Sequence, residues 1–159
     1  MFGLPRRRIV ARRGRYEVRL PDEERVLLRG LLGDLRALLS LGPDDPRVRR
    51  LYPEAYADDA DKQADYRRLT QEELQGGRLA AVDVVEATVD ERELTADQLT
   101  AWMHAVNALR LVLGTMLDVR EDDQPLTLDR DDPDAPTMAL YGYLGVLLEE
   151  LVEAQLGEL

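Results

Sequence analysis

The sequence predicts a mainly α fold, a single-domain helical bundle of about four long helices with a small N-terminal β-hairpin. Three observations predict it. Leu27, Leu28, Leu31, Leu32, Leu35, Leu38 and Leu39 recur at helical spacing, and at about 100° per residue they share an arc of roughly 140°. Thr95 followed by Gln98 is the signature of a reciprocally capped helix start. Tyr16, Val18 and Leu20 alternate with Arg15, Glu17 and Arg19, the period of a half-buried strand. The 159 residues have the length of one ordinary domain, 1–159. A hydrophobic share of 45% and a charged share of 33% fit a folded globule rather than a disordered chain.

In order, residues 8–20 read as a basic hairpin, with Gly14 supplying the turn conformation. A helix is predicted from about Pro21 to Leu41. Pro21 suits a first helical position, and Asp22, Glu23 and Glu24 suit the positive end of the helix dipole. Gly42-Pro43 stops it. Pro46, Pro53, Asp58, Asp59 and Asp61 break the pattern that follows, leaving a short helical turn around 47–51 and a helix around 60–69. Thr70 with Glu73 reads as a second capping box. It would start a separate helix from 71 to about 89 with Leu74, Ala81, Val82, Val84, Val85 and Val89 on one side. Thr95 starts a helix from 96 to about 117. Residues 118–136 read as a long acidic loop, with an extended piece at Leu126-Thr127-Leu128. A last helix runs from Thr137 to about Gln155. Its Gly142 and Gly145 lie off the apolar side, where they permit close approach of another backbone.

Charge is polarised. The net charge is −11, yet residues 1–20 hold seven Arg and one Glu, and residues 121–159 hold one Arg and 11 acids. Arg6, Arg7, Arg8, Arg12, Arg13, Arg15 and Arg19 can contact several phosphates, with Tyr16 stacking on a base. Alternatively they fold against the protein's own acidic face.

The residue inventory excludes much chemistry. There is no Cys, hence no disulfide, thiolate metal site or Cys nucleophile. Ser40 is the single Ser and lacks a Gly-x-Ser-x-Gly elbow. His104 is the single His, too few for a His-based zinc site; it reads as a plain, partly exposed side chain beside Ala108, Leu111 and Thr115. Gly76-Gly77 lacks the P-loop lysine. Asp129, Asp131 and Asp134 miss the order of a calcium loop, and no Gly stands at its bend. Asp58, Asp59 and Asp61 read as a helix cap before a weak magnesium site. No catalytic residue, cofactor or metal ligand is therefore expected. With no apolar run near the roughly 20 residues of a membrane helix and no signal-peptide core, a cytoplasmic location is expected.

Arg110 is the positional anomaly. On the helix 96–117 it falls inside the arc of Leu99, Trp102, Val106, Leu109, Leu113 and Leu117. A guanidinium there is expected to be buried and paired with a carboxylate, or else to bind an anion or partner in a cleft.

Three stretches carry a resemblance. They are Leu51-Tyr52-Pro53-x-Ala55-Tyr56-x-Asp58-Asp59 with Tyr66-Arg67-x-Leu69-Thr70, then Trp102-x5-Ala108-Leu109-Arg110-Leu111-Val112-Leu113-Gly114-Thr115, then Leu140-Tyr141-x-Tyr143-Leu144-Gly145. The pattern resembles an uncharacterised actinobacterial family catalogued only as a domain of unknown function. The resemblance implies a setting: such proteins are often encoded beside the ClpS protease adaptor and near a metal-dependent deubiquitinase-like peptidase, and some are labelled transcriptional regulators. It implies no catalytic residues. Met116 departs from the pattern, where a polar residue is expected.

The expected function is that of a non-enzymatic cytoplasmic regulatory or adaptor-type protein. It would act through protein–protein contacts, linked to regulated proteolysis through a Clp-system component, with a homodimer also open. A nucleic-acid-binding regulator using the N-terminal arginines and an enzyme using carboxylates and Arg are the alternatives. Candidate partner or anion contacts are Arg110, Arg6, Arg7, Arg8, Arg12, Arg13, Tyr52 and Tyr56.

Overall fold

The computed structural model describes residues 7–42, 44–52, 58–117 and 131–157, without the side chains of 67–69 and 71–72. Strands β1 (Ile9–Arg12) and β2 (Arg15–Val18) form the hairpin. Arg13 (φ 50°) and Gly14 (φ 77°) make its two-residue turn; two left-handed residues give the turn twist that matches paired strands. The register pairs Ile9 with Val18 and Arg12 with Arg15, so the buried Ile9, Tyr16 and Val18 face the core.

The hairpin does not stand alone. A third strand, β3 (Glu93–Leu94), pairs antiparallel with β2 through Tyr16–Leu94 and Glu17–Glu93. Helix α1 is Asp22–Ser40, α2 Ala60–Thr88, α3 Ala96–Met116 and α4 Ala135–Gly157. A 3-10 helix, Pro46–Leu51, buries Val48 and Leu51. The expected architecture is thus corrected in its count. The fold is mainly α, but the helical elements exceed the predicted four or so, and the two-stranded appendage is part of a three-stranded sheet.

Helix α3 is the central element, packed against α4, α2, the 3-10 helix and α1. Its Leu99, Trp102, Val106 and Leu109 meet Leu28, Leu32, Leu35 and Leu39 of α1, Val82, Val85 and Val89 of α2, and Leu144, Leu147 and Leu151 of α4 in one core cluster. The capping box at Thr95 forms as expected: Gln98 N donates to Thr95 Oγ1 at 3.2 Å and Thr95 N to Gln98 Oε1 at 2.9 Å.

The expected break at Thr70 does not occur. Helix α2 is continuous, and the Thr70 hydroxyl donates to the Tyr66 carbonyl at 2.7 Å, a back-bond within a helix rather than a cap. Its true start is Asp59, whose Oδ1 accepts from Asp61 N and Lys62 N at 3.1 Å. Helix α4 starts two residues earlier than expected and runs two further. Most of the predicted acidic loop, with Asp129 and Leu126-Thr127-Leu128, lies outside the described residues. Among the described residues no helix is long and apolar enough to cross a membrane.

The 3-10 helix carries a pH prediction. Asp45 Oδ1 accepts from Arg47 N at 2.9 Å and Oδ2 from Arg47 Nη2 at 2.8 Å. The Arg47 side chain first, and its backbone N–H second, pull the Asp45 carboxyl from 3.8 to about 2. Because the folded value is the depressed one, the cap's contribution is complete above about pH 4 and is lost as pH falls through about 2. An NMR titration of the Asp45 carboxyl carbon should have its midpoint near 2. Arg47→Ala, which keeps the backbone donor, should raise the midpoint part of the way to the unfolded value.

Candidate functional site

The candidate contact residues do not converge on one site. The N-terminal arginines divide into two groups. Arg7 and Arg8 turn inward: Arg7 Nη2 lies 3.4 Å from Glu153, and Arg8 pairs with Glu24 at 2.6 Å and Glu150 at 3.9 Å. Arg8 also donates its backbone N–H to Glu150 at 3.3 Å and lies over the Tyr143 ring at 5.3 Å. Burial works against the charge on Arg8, but the hydrogen bond and charge of Glu24 outweigh it, and its pKa is raised. Burial, with Glu24 adding to it, pushes the Tyr143 hydroxyl up as well. This staple joins the start of the hairpin to α1 and α4.

The tip points the other way. Arg12, Arg13 and Arg15 are exposed. Arg12 lies 3.3 Å from Glu17, which Arg19 also engages at 3.1 Å. Arg13 and Arg15 have no acidic partner among the described residues. Tyr16, expected to be available for stacking, is instead a core residue at 4% exposure. Arg6 and Tyr56 lie outside the described residues.

Arg110 corrects its expectation. It is half-buried rather than buried, and its guanidinium lies over the Tyr141 ring at 5.4 Å. Among the described residues no carboxylate pairs with it. The aromatic face supplies the stabilisation that a carboxylate was expected to give. Its Nε would stand 3.9 Å from a Cβ at Gly145, so a side chain, not a backbone, occupies that approach. The tight approach falls at Gly114, where a Cβ would meet Arg50 Nη1 and Tyr141 Cε2 at 3.1 Å. Gly142 meets nothing within 4 Å.

Tyr52 is buried at 7% exposure, with Arg78 over its ring at 5.2 Å. Burial raises its pKa. Arg78, which sequence reasoning missed, donates Nη1 to the Leu74 carbonyl at 3.4 Å and Nη2 to the Leu51 carbonyl. Burial lowers its pKa. Arg78 opens into a cleft of about 710 Å³ that α2 and α3 line together with Leu51 and with Leu148 of α4; Met103, His104 and Asn107 lie along its α3 wall. His104 is exposed there rather than partly so. A second groove of about 550 Å³ is lined by Leu31, Leu35, Leu38, Leu109, Val112 and Leu113, with Leu41 and Met116 exposed beside it. The Ser40 hydroxyl is spent on the Arg36 carbonyl at 2.9 Å. Among the described residues no three His, Cys, Asp or Glu side chains gather as metal ligands.

The chain is 35% identical over 132 residues to proteins named oxidative stress regulator AosR in Mycobacterium tuberculosis and Mycobacterium bovis, covering 72% of this chain and 60% of each relative. It is 32% identical over 129 residues to the putative oxidative stress regulator AosR of Mycobacterium leprae, covering 70% and 59%. The chain thus spans about 60% of the length of the curated relatives it matches. No solved structure matches it. The family described as a domain of unknown function, DUF2017, matches residues 6–155, nearly the whole length and all of α1 to α3, and on that match the chain belongs to the DUF2017 family.

Proposed function

We propose that residues 1–159 act as one domain of a non-enzymatic, cytoplasmic regulatory protein that works by binding another protein. The single observation that carries this reading is the division of the basic segment. Arg7 and Arg8 turn inward onto glutamates of α1 and α4, while Arg13 and Arg15, with Arg12 beside Glu17, are exposed together at the two-residue turn. Such a tip suits an acidic patch on a partner, where exposed charges steer association and select the partner. The name of the mycobacterial relatives, oxidative stress regulator, supports a regulatory role. Lacking Cys, these residues contribute to any oxidative response without a thiol switch. A component of the Clp system, in an adaptor relationship linked to regulated proteolysis, is the first partner to test. A second copy of the chain is the alternative occupant.

The nucleic-acid reading loses part of its footing, because Arg7 and Arg8 face acids and Tyr16 sits in the core. The enzymatic reading needed a deep polar cleft at Arg110, and Arg110 lies on Tyr141 instead.

The test is capture from the native host at low and physiological salt, comparing wild type with Arg12→Gln/Arg13→Asn/Arg15→Gln. Asn tolerates the left-handed conformation of position 13, so the turn is kept. Three exposed charge pairs at roughly 0.5 kcal/mol each correspond to about tenfold in affinity. A partner protein should be captured by wild type, weakened by salt and weakened about tenfold by the triple variant. Equal capture by both proteins would remove the tip from the interface.

A further inference from the structure

The cleft lined by α2 and α3 has the size and lining of a small-molecule pocket. Its volume of about 710 Å³ lies within the roughly 300–1,000 Å³ of small-molecule pockets, which are mostly apolar with a few converging polar groups. Leu51, Leu74, Met103, Leu111 and Leu148 supply the apolar surface. Arg78 supplies the one guanidinium among the described lining residues.

Arg78 is incompletely matched. A guanidinium has five N–H donors. Here two nitrogens donate to the Leu74 and Leu51 carbonyls, and the Tyr52 ring lies beside the group at 5.2 Å. No carboxylate among the described residues pairs with it. Other half-buried arginines are better served: Arg8 has Glu24 and Glu150, Arg25 has four carbonyls, and Arg36 has Asp83 and Glu86. A partly desolvated cation beside an apolar floor lacks one thing, a single negative charge carried on an apolar body.

We propose that this cleft binds an apolar monocarboxylate, with the carboxylate on Arg78 and the chain along Leu74, Met103, Leu111 and Leu148. A single charge matches a single guanidinium. A dianionic head, such as a phosphate monoester, would leave one charge uncompensated close to Glu73, which also lines the cleft.

His104 makes the test direct. It is the single His of the chain and lines the cleft, so one imidazole NMR signal reports on it. The probes are decanoate and its uncharged counterpart decanol, added below micelle formation. Two variants are used. Arg78→Gln removes the charge and keeps a polar side chain. Gly77→Leu fills the cleft; a Cβ at Gly77 meets nothing within 4 Å, and Leu favours a helix over Gly, so the fold is kept. Decanoate should shift the His104 signal saturably in wild type and bind about tenfold more tightly than decanol, as expected of one charge-assisted contact. Arg78→Gln should abolish that difference, and Gly77→Leu should abolish the shift. The proposal is overturned if decanoate leaves His104 unmoved, if decanol binds equally well, or if either variant responds like wild type.

Discussion

Replacing Arg25 with alanine should lower the melting temperature by roughly 10 °C, about 3 kcal/mol at the few degrees per kcal/mol of a domain this size. The guanidinium sits where three segments meet. Its Nε donates to Leu20 O at 3.0 Å, Nη1 to Glu91 O at 3.0 Å and to Val89 O, and Nη2 to Val18 O at 3.3 Å. One side chain of α1 thereby holds the end of β2, the strand–helix junction and the turn leading from α2 to β3. Each hydrogen bond to a charged group is worth about 1.5–3 kcal/mol when buried. Arg25 is half-exposed, and water replaces part of what alanine removes, so the four together amount to about 3 kcal/mol rather than their sum. Arg25→Lys keeps the charge but not the planar fork, and one ammonium cannot reach four carbonyls on different segments. It should recover less than half of the loss. Thermal melts followed by circular dichroism at fixed salt decide it; if alanine and wild type melt together, the clamp contributes nothing.

Arg25 also marks where sequence reading stops. Its partners are main-chain carbonyls, which every residue carries, so no residue type at any spacing announces them. The same holds for Arg78 on the Leu51 and Leu74 carbonyls. What the sequence did disclose was periodicity, because burial on one face imposes it. Most of the leucines of α1, of the valines of α2 and of the stripe of α3 face the core as spaced; Leu27, Val84 and Leu117 do not join it. Local signatures were legible only in context. Thr95-x-x-Gln98 caps a helix because the chain before it is extended, Thr95 itself having φ −76° and ψ 170°. Thr70-x-x-Glu73 fits the same capping pattern inside a chain that is already helical, and there the hydroxyl turns back to Tyr66. Strand β3 escaped notice for a third reason. Two residues, Glu93 and Leu94, carry no period, and their pairing with β2 comes from a distant segment. Arg110 reads in the sequence as a cation on an apolar arc that needs a carboxylate, but its neighbour is an aromatic face 31 residues away, Tyr141, which also attracts a guanidinium.

The largest single loss should come from Trp102→Ala, about 4 kcal/mol, against the 5–15 kcal/mol that holds a typical domain folded. Trp102 is fully buried at 0% exposure on the central helix. Truncation forfeits its apolar burial and leaves a cavity that α1, α2 and α4, braced against α3 from several sides, can close only in part. The indole also carries a buried polar link. Its Nε1 donates to Thr88 Oγ1 at 2.8 Å, and the Thr88 hydroxyl in turn donates to the Val84 carbonyl at 2.7 Å. Two milder variants separate packing from this link. Trp102→Phe removes the donor but leaves Thr88 still bonded to Val84, so it should cost about 1–3 kcal/mol, mostly from lost volume. Thr88→Val strands the indole N–H in the core, at about 1–3 kcal/mol. The double variant has neither the donor nor the acceptor. It should therefore lose less than the two single losses added together, by about 1 kcal/mol or more. Calorimetric melts of the four proteins measure that coupling directly; strict additivity would mean that the indole N–H finds another partner in the core and that Trp102 acts through its volume alone.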